Sequence, residues 1–422
     1  MIKKYITDIN NKIYLKEELV KNLNKKTNNI IRINNKEITK FLGFGSAITE
    51  SSAYNYQKLS NKNKKLFIHD YYSKDGLNYY FGRISIGSND FSLNSFSYAK
   101  KRNLSDFSIA HDQDLVIPFL KDILNEKDIS LIASPWSPPT MFKRLPILFW
   151  GIKLRKKYYE SYSDYLVKFI NEYKRVGINV DYLTIQNEPM ARQRWESCKF
   201  SLNNQKEFIY KYLINKLDNT KILLWDHNKD DLYNIIKELY CDNRIGGFAF
   251  HYYTGSNFNE LIKLRRDYPD KLLINTEMCC AYSKYDEIKW ITSAEYYLND
   301  IIGDMNSGVN AYLDWNILLD EFGGPTYKNN PVKSGSIRVN DDYIKTPIYY
   351  YLYHVSHFIN NSLIIENDNK TNLKVVSFKN NKKLIIVILN KTNNDVDYKI
   401  VLDDKTIVDS IKKHSIITYE IE

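Results

Sequence analysis

Residues 41 to about 355 alternate short apolar runs with longer stretches of helical spacing, and few architectures accept that pattern. A buried run, a helix, then another buried run is the signature of βαβ units, whose strands lie parallel in one sheet. Eight candidate strands are present: Phe41–Ala47, Tyr79–Gly87, Ser130–Ser134, Tyr182–Gln186, Lys221–Trp225, Gly247–His251, Leu272–Thr276 and Gly308–Trp315. They span about 270 residues, and a barrel of eight βα units needs about 250. Between Tyr158 and Val176, Tyr162, Leu166, Phe169, Ile170 and Tyr173 fall on one helical face, and Gly177 supplies a stop. The pattern predicts an α/β protein with a (β/α)8 TIM barrel over 41–355.

The texture changes near 360. Leu373–Phe378, Leu384–Leu389, Val396–Val401 and Ser415–Ile421 are short apolar runs. Asn380-Asn381 and Asn390 to Asn394 separate them as turns, which reads as hairpins. The first forty residues are polar apart from one β-like run, Asn29–Ile33. A smaller β-sandwich side domain built from both termini, 1–40 plus 356–422, is the expected arrangement.

Composition excludes several classes. No window has the eighteen or more apolar residues of a membrane span. Met1–Leu15 has no apolar core and no cleavage site, so no secretory signal is read and a cytoplasmic location is expected. The net charge is +10, yet Lys is scattered and no basic cluster interleaves with aromatics, so nucleic acid is not an expected partner. Cys198, Cys241, Cys279 and Cys280 lack paired spacing; free thiols are expected, with no metal and no cofactor. The oligomeric state is not legible.

The ends of the candidate strands carry the chemistry, because active sites of such barrels lie at the C-terminal ends. Strand two runs into Asn89-Asp90, strand three into Trp136 and strand four into Asn187-Glu188-Pro189. Strand five runs into Asp226-His227-Asn228, strand six into His251-Tyr252-Tyr253, strand seven into Glu277 and strand eight into Asp314-Trp315-Asn316. Carboxylates, amides and aromatic faces together suit a carbohydrate pocket. Glu188 and Glu277, three βα units apart, face each other across the barrel mouth, and glycoside hydrolysis needs two such carboxyls. Asn187 offers a donor for a sugar 2-hydroxyl.

Ordered motifs add a resemblance. Gly43-Phe44-Gly45-Ser46-Ala47, Ser88-Asn89-Asp90-Phe91-Ser92 and Ala133-Ser134-Pro135-Trp136-Ser137-Pro138-Pro139 come first. Asn187-Glu188-Pro189, Trp195-Glu196-Ser197-Cys198, Trp225-Asp226-His227-Asn228, Asp314-Trp315-Asn316 and Gly323-Gly324-Pro325 follow. Over residues 41 to 360 the set resembles glycoside hydrolase family 30, the glucosylceramidase-type retaining β-glycosidases. The resemblance implies Glu188 as acid/base and Glu277 as nucleophile. It implies Asp90, Trp136, Asn187 and Trp315 in the glycone subsite, Arg83 and Tyr253 near the nucleophile, and His227 and His251 in the pocket. The implied partner is a β-glycoside, a glucosylceramide-like or other β-glucoside. A β-xyloside or β-1,6-glucan is the nearer rival, and a catalytically silent sugar-binding protein the more distant one.

The chain departs from the family pattern at three places. Tyr252 stands where many relatives carry Trp, and Ser46 where many carry Gly. Leu145–Trp150 is apolar where relatives have a polar, Gly-containing loop. Such a loop either contacts a lipid aglycone or packs against a neighbouring helix.

Overall fold

The computed structural model describes residues 2–20, 22–279, 287–328, 335–339, 343–380, 383–403 and 405–422. Cys280, and Asn381 with Lys382 of the expected turn, lie outside them. The chain opens with three strands, β1 (Ile2–Asp8), β2 (Ile13–Leu19) and β3 (Ile30–Phe41). The barrel strands follow: β4 (Gly43–Ala47), β5 (Phe81–Ile86), β6 (Ser130–Pro135), β7 (Tyr182–Leu183), β8 (Lys221–Asn228), β9 (Gly247–His251), β10 (Leu272–Glu277) and β11 (Ala311–Asp314). All pair in parallel, and β11 returns to β4, closing the barrel.

Each expected barrel strand is present; β4, β5, β7 and β11 are shorter than expected, β6, β8 and β10 run further at their C-terminal ends, and β9 coincides. The fourth holds its ladder only over Tyr182–Leu183. Beyond it Thr184 and Asn187 still donate their backbone N–H groups to the carbonyls of Ala133 and Pro135, while the side chains of Thr184 and Gln186 reach Ser134, Asp226 and the Trp136 carbonyl. Phe81, Ile132, Leu223, Ala249, Ile274, Ala311 and Leu313 fill the barrel axis. The anticipated helix runs Tyr159–Arg175 and buries Tyr162, Leu166, Phe169 and Tyr173. Gly177, at φ +87°, takes the left-handed turn that ends it.

A three-stranded sheet, β12 (Leu318–Asp320), β13 (Ile337–Val339) and β14 (Tyr343–Lys345), follows the barrel. The remaining strands are β15 (Ser362–Asn369), β16 (Lys374–Asn380), β17 (Lys383–Asn390), β18 (Val396–Val401), β19 (Thr406–Ile411) and β20 (Ser415–Ile421). They form one sheet with the N-terminal strands, ordered β19-β18-β3-β15-β16-β17-β20-β1-β2. The open sheet folds over so that its two halves face each other: Tyr398 of β18 bonds Tyr419 of β20, and Lys4 of β1 bonds Asp409 of β19. β1 and β2 correct the reading of the first forty residues as polar with one run. Lys3, Lys4, Lys16, Glu17 and Glu18 mask their alternation, as charges do on strands near a sheet edge.

β17 shows why the side domain holds to the barrel. Ile386 and Ile388 face the sandwich interior, whereas Ile385, Val387 and Leu389 join the core shared with the barrel's helices. On the helix Pro347–Ser356, His354 bonds Thr418 of β20 and Thr7 of β1, both at 2.8 Å. Burial holds this imidazole well below its usual range, at about 3. It is therefore a neutral cross-brace.

Asp314, at the end of β11, is buried and takes one hydrogen bond from Ser336, while its other oxygen has no partner among the described residues. Burial raises its carboxyl to about 7. The folded chain therefore holds a proton that the unfolded chain releases near pH 4, so stability falls as pH rises from about 4 to about 7. Asp314→Asn removes that loss. Its melting temperature should gain several degrees on wild type between pH 4.5 and 7.5, read by circular dichroism; parallel curves would refute the assignment.

Candidate active site

Two irregularities of the sheet aim the carboxylates at the barrel axis. Ile274 points to the axis, so strict alternation would send Glu277 out toward the helices. The register slips between Asn275 and Glu277, leaving Thr276 as an extra residue, and Glu277 turns inward. β8 does the same. Leu223 points inward, the register slips between Trp225 and His227, and Asp226 is the extra residue. Trp225 and Asp226 both have positive φ, +85° and +60°, and Glu188, beyond the end of β7, has +46°. Such backbone is costly for non-glycine residues and persists where the surroundings enforce it.

Arg83 of β5 is the enforcing group. Its buried guanidinium donates to Glu277 Oε2 at 2.7 Å, Asn187 Oδ1 at 2.7 Å, Asp226 Oδ2 at 3.0 Å and Ser134 Oγ at 3.2 Å. It also lies over Trp136 and Trp315, 4.8 and 5.7 Å from the ring centroids. Tyr253 donates to the other Glu277 oxygen at 2.9 Å. Because Arg83 occupies Asn187 Oδ1, the NH2 is the half of that amide left for a ligand.

Glu188 has a different environment. His251 reaches Oε1 with Nδ1 at 3.3 Å and Asp226 Oδ1 with Nε2 at 3.2 Å. His227 Nδ1 lies 3.9 Å from Oε1, and Gln193 donates to Oε2 at 3.5 Å. Burial pulls His251 down, but Glu277, Asp226 and Glu188 outweigh it and raise it to about 9. Burial pushes Glu188 up, yet the His251 hydrogen bond and the charges of His251 and His227 bring it below the usual range. The Glu188–His251 pair thus carries one exchangeable proton. Glu188, His227 and His251 have ligand atoms within 4.8 Å of one another. Both His251 nitrogens are spent on carboxylates, so His251 is a proton donor here rather than a lone-pair donor to a metal.

A cavity of about 280 Å3 gathers Asp90, Trp136, Asn187, Glu188, His227, Tyr253, Glu277 and Trp315. The remaining two candidates, Arg83 and His251, are buried behind the carboxylates. Trp136 and Trp315 stack at 5.3 Å, and Phe91 meets Trp315 edge-on. Gln193, Trp195, Asn228 and Cys279 also line the cavity; Trp195 and Asn228 stand in motifs that the sequence shows but does not assign to the site, and Gln193 and Cys279 were not anticipated there. Asp226, fully buried, was seen at a strand end but not as part of the site; Thr184, Thr276, Arg83 and His251 all contact it. Leu145 and Trp150 are exposed at 51% and 42%, so their loop is not an interior one. Trp150 N–H bonds the Gln193 carbonyl and Ser197 N–H bonds that of Leu148, which lays the loop on the segment carrying Gln193 and Trp195.

The glycosyl hydrolase family 30 TIM-barrel domain matches residues 41–359, and the family's β-sandwich domain matches 363–419. The chain belongs to glycoside hydrolase family 30. As a member of that family it is a glycosidase. The chain is 34% identical to putative glucosylceramidase 3 of Caenorhabditis elegans, over 82% of this chain and 71% of that one. The crystal structure of SrfJ from Salmonella typhimurium superposes with a TM-score of 0.94 at 28% identity, over the whole of both chains. The endo-β1,6-glucanase BT3312 superposes with a TM-score of 0.86 at 25% identity, over 99% of this chain and 98% of that one. Among the described residues no helix is long and apolar enough to cross a membrane.

Asp226 is one of the charges that hold His251 up. Asp226→Asn should therefore lower the His251 pKa from about 9, followed by NMR titration of its ring protons. The alkaline limb of kcat/KM should move down with it. An unmoved His251 titration would overturn this account of the site's charges.

Proposed function

We propose that the enzyme releases a β-linked glucosyl residue by double displacement, with Glu277 as nucleophile and Glu188 as general acid/base. The observation that carries this reading is the difference between the partners of the two glutamates. Arg83, beside Glu277, is a fixed cation that orients the carboxylate and does not give up its proton. His251, beside Glu188, titrates and restores a proton or takes one. Two carboxyls, one oriented and one exchanging protons, are the needs of a retaining glycosidase.

In the first step Glu277 attacks the anomeric carbon, the glycosidic bond breaks, and the leaving oxygen takes the proton of Glu188. In the second, Glu188 takes a proton from water, the water oxygen attacks the anomeric carbon, and the ester bond to Glu277 breaks. Asn187 meets the sugar 2-hydroxyl, Asp90 another hydroxyl, and Trp136 and Trp315 the C–H faces. At about 280 Å3 the cavity falls just below the usual range for ligand pockets, about 300–1,000 Å3, which suits one sugar ring.

For the aglycone, the exposed Leu145 and Trp150 favour an apolar group such as a glucosylceramide tail. The likeness to an endo-β1,6-glucanase over nearly the whole chain favours β-1,6-glucan as the second reading.

Glu277→Gln should lower kcat on an aryl β-glucoside by about a thousandfold or more, and unchanged turnover would refute the nucleophile. Proton NMR should show the β-anomer released first; an α product would mean inversion. Against aryl xyloside, glucosylceramide in micelles and β-1,6-glucan, the lipid should be the best natural substrate. Faster cleavage of the glucan would establish the second reading.

A further inference from the structure

We propose that Asn275, Asp304 and Lys229 form a positioning relay that holds the backbone of Glu277 from the side opposite the pocket. The proposal rests on Glu277 as nucleophile. The bulge of β10 takes Glu277 out of regular alternation, and Asn275 Oδ1 accepts its N–H at 3.2 Å. The Asn275 NH2 faces Asp304 Oδ2 at 3.5 Å. Asp304 Oδ1 accepts from Lys229 Nζ at 2.7 Å, and Lys229 also spans both oxygens of Asp300 at 3.1 Å. Asn275, Asp304 and Lys229 are fully buried.

Two acids and one ammonium are a costly way to fill a barrel wall, since buried ion pairs stabilise weakly compared with apolar packing. Burial, with Asp300 close by, raises Asp304 to about 8, so one shared proton neutralises the cluster at neutral pH. What the cluster does deliver is geometry. Asp300 and Asp304 come from the helix Glu287–Asn306, and Lys229 directly follows β8, three residues after Asp226. The ends of β8 and β10, each bearing a bulge that aims an acid inward, are thereby tied to one helix. From the same helix Tyr297 donates to the Met278 carbonyl at 2.9 Å, and Tyr312 of β11 donates to Met278 Sδ at 2.6 Å. The residues on both sides of Glu277 are held, and a shift of about 1 Å in such a group costs on the order of a hundredfold in rate.

The test uses 2-deoxy-2-fluoro-β-glucosyl fluoride, which traps the glycosyl-enzyme, with the labelled peptide found by mass spectrometry. Asn275→Ala should label on Glu277 about 10- to 100-fold more slowly than wild type, with the half-saturating reagent concentration changed less than about threefold. Asn275→Asp keeps the acceptor for the Glu277 N–H and receives the proton of Asp304 in place of the lost NH2 link, so it should recover most of that rate, and Asn275→Leu, which fills the space without an acceptor, should not. The Asp and Leu variants decide the matter if the Ala variant does not fold. Equal rates in those two variants, or a loss confined to half-saturation, would overturn the relay. A wild-type label on another residue would instead overturn the nucleophile, and the relay with it.

Discussion

One guanidinium sets the terms for the whole barrel mouth. Arg83 lies in β5 with no exposure of its side chain, so its charge must be met inside the protein. Four neighbours answer it: Glu277, Asp226, Asn187 and Ser134. They come from β10, β8, the turn after β7, and β6. A guanidinium offers its donors in a fixed plane, so satisfying them fixes the relative positions of these strand ends. Remove the fork and the buried charge of Asp226 is left with His251 as its cationic partner, a strongly destabilising loss for a core.

From Arg83 the charges alternate outward, through Asp226 to His251 and on to Glu188. Asp226 is fully buried, yet Arg83 and His251 hold it far below the usual carboxylate range against the burial that would raise it. It binds two cations at once and so passes the influence of a fixed charge to a titratable one. Glu277 and Glu188 consequently sit at opposite ends of one network while having partners of opposite character. That asymmetry gives two chemically identical side chains different electrostatic surroundings.

The barrel was legible because its strands are buried on both faces and read as continuous apolar runs, such as Ile222–Leu224 and Leu272–Ile274. Glu188 and Glu277 were legible because each stands just past the last apolar residue of a strand, Ile185 or Ile274, with two polar residues between. Asp226 follows one as well, but alternation from Leu223 points it outward, and only the bulge with two positive-φ residues brings it to the centre. A bulge leaves little trace in composition, so the charge partner of Arg83 was not identified. Gln193 lies in a loop without periodicity, five residues after Glu188, and no pattern marks the turn of that loop that brings its amide back to the carboxylate. β1 and β2 were hidden for another reason, since their alternating faces carry lysines and glutamates.

The two bulges also explain why the site needs support from outside. In a regular strand the ladder fixes both the backbone and the direction of each side chain. An extra residue breaks the ladder at the point where the side chain matters most. At β8 the freed group is a carboxylate, and Thr184, Thr276, Arg83 and His251 converge on it. At β10 the aimed side chain has two hydrogen-bond partners among the described residues, Arg83 and Tyr253, and it also borders the cavity. The constraint that solvent exposure denies to the Glu277 carboxylate must then come through its backbone, from the dry side of the strand, where Asn275 meets its N–H.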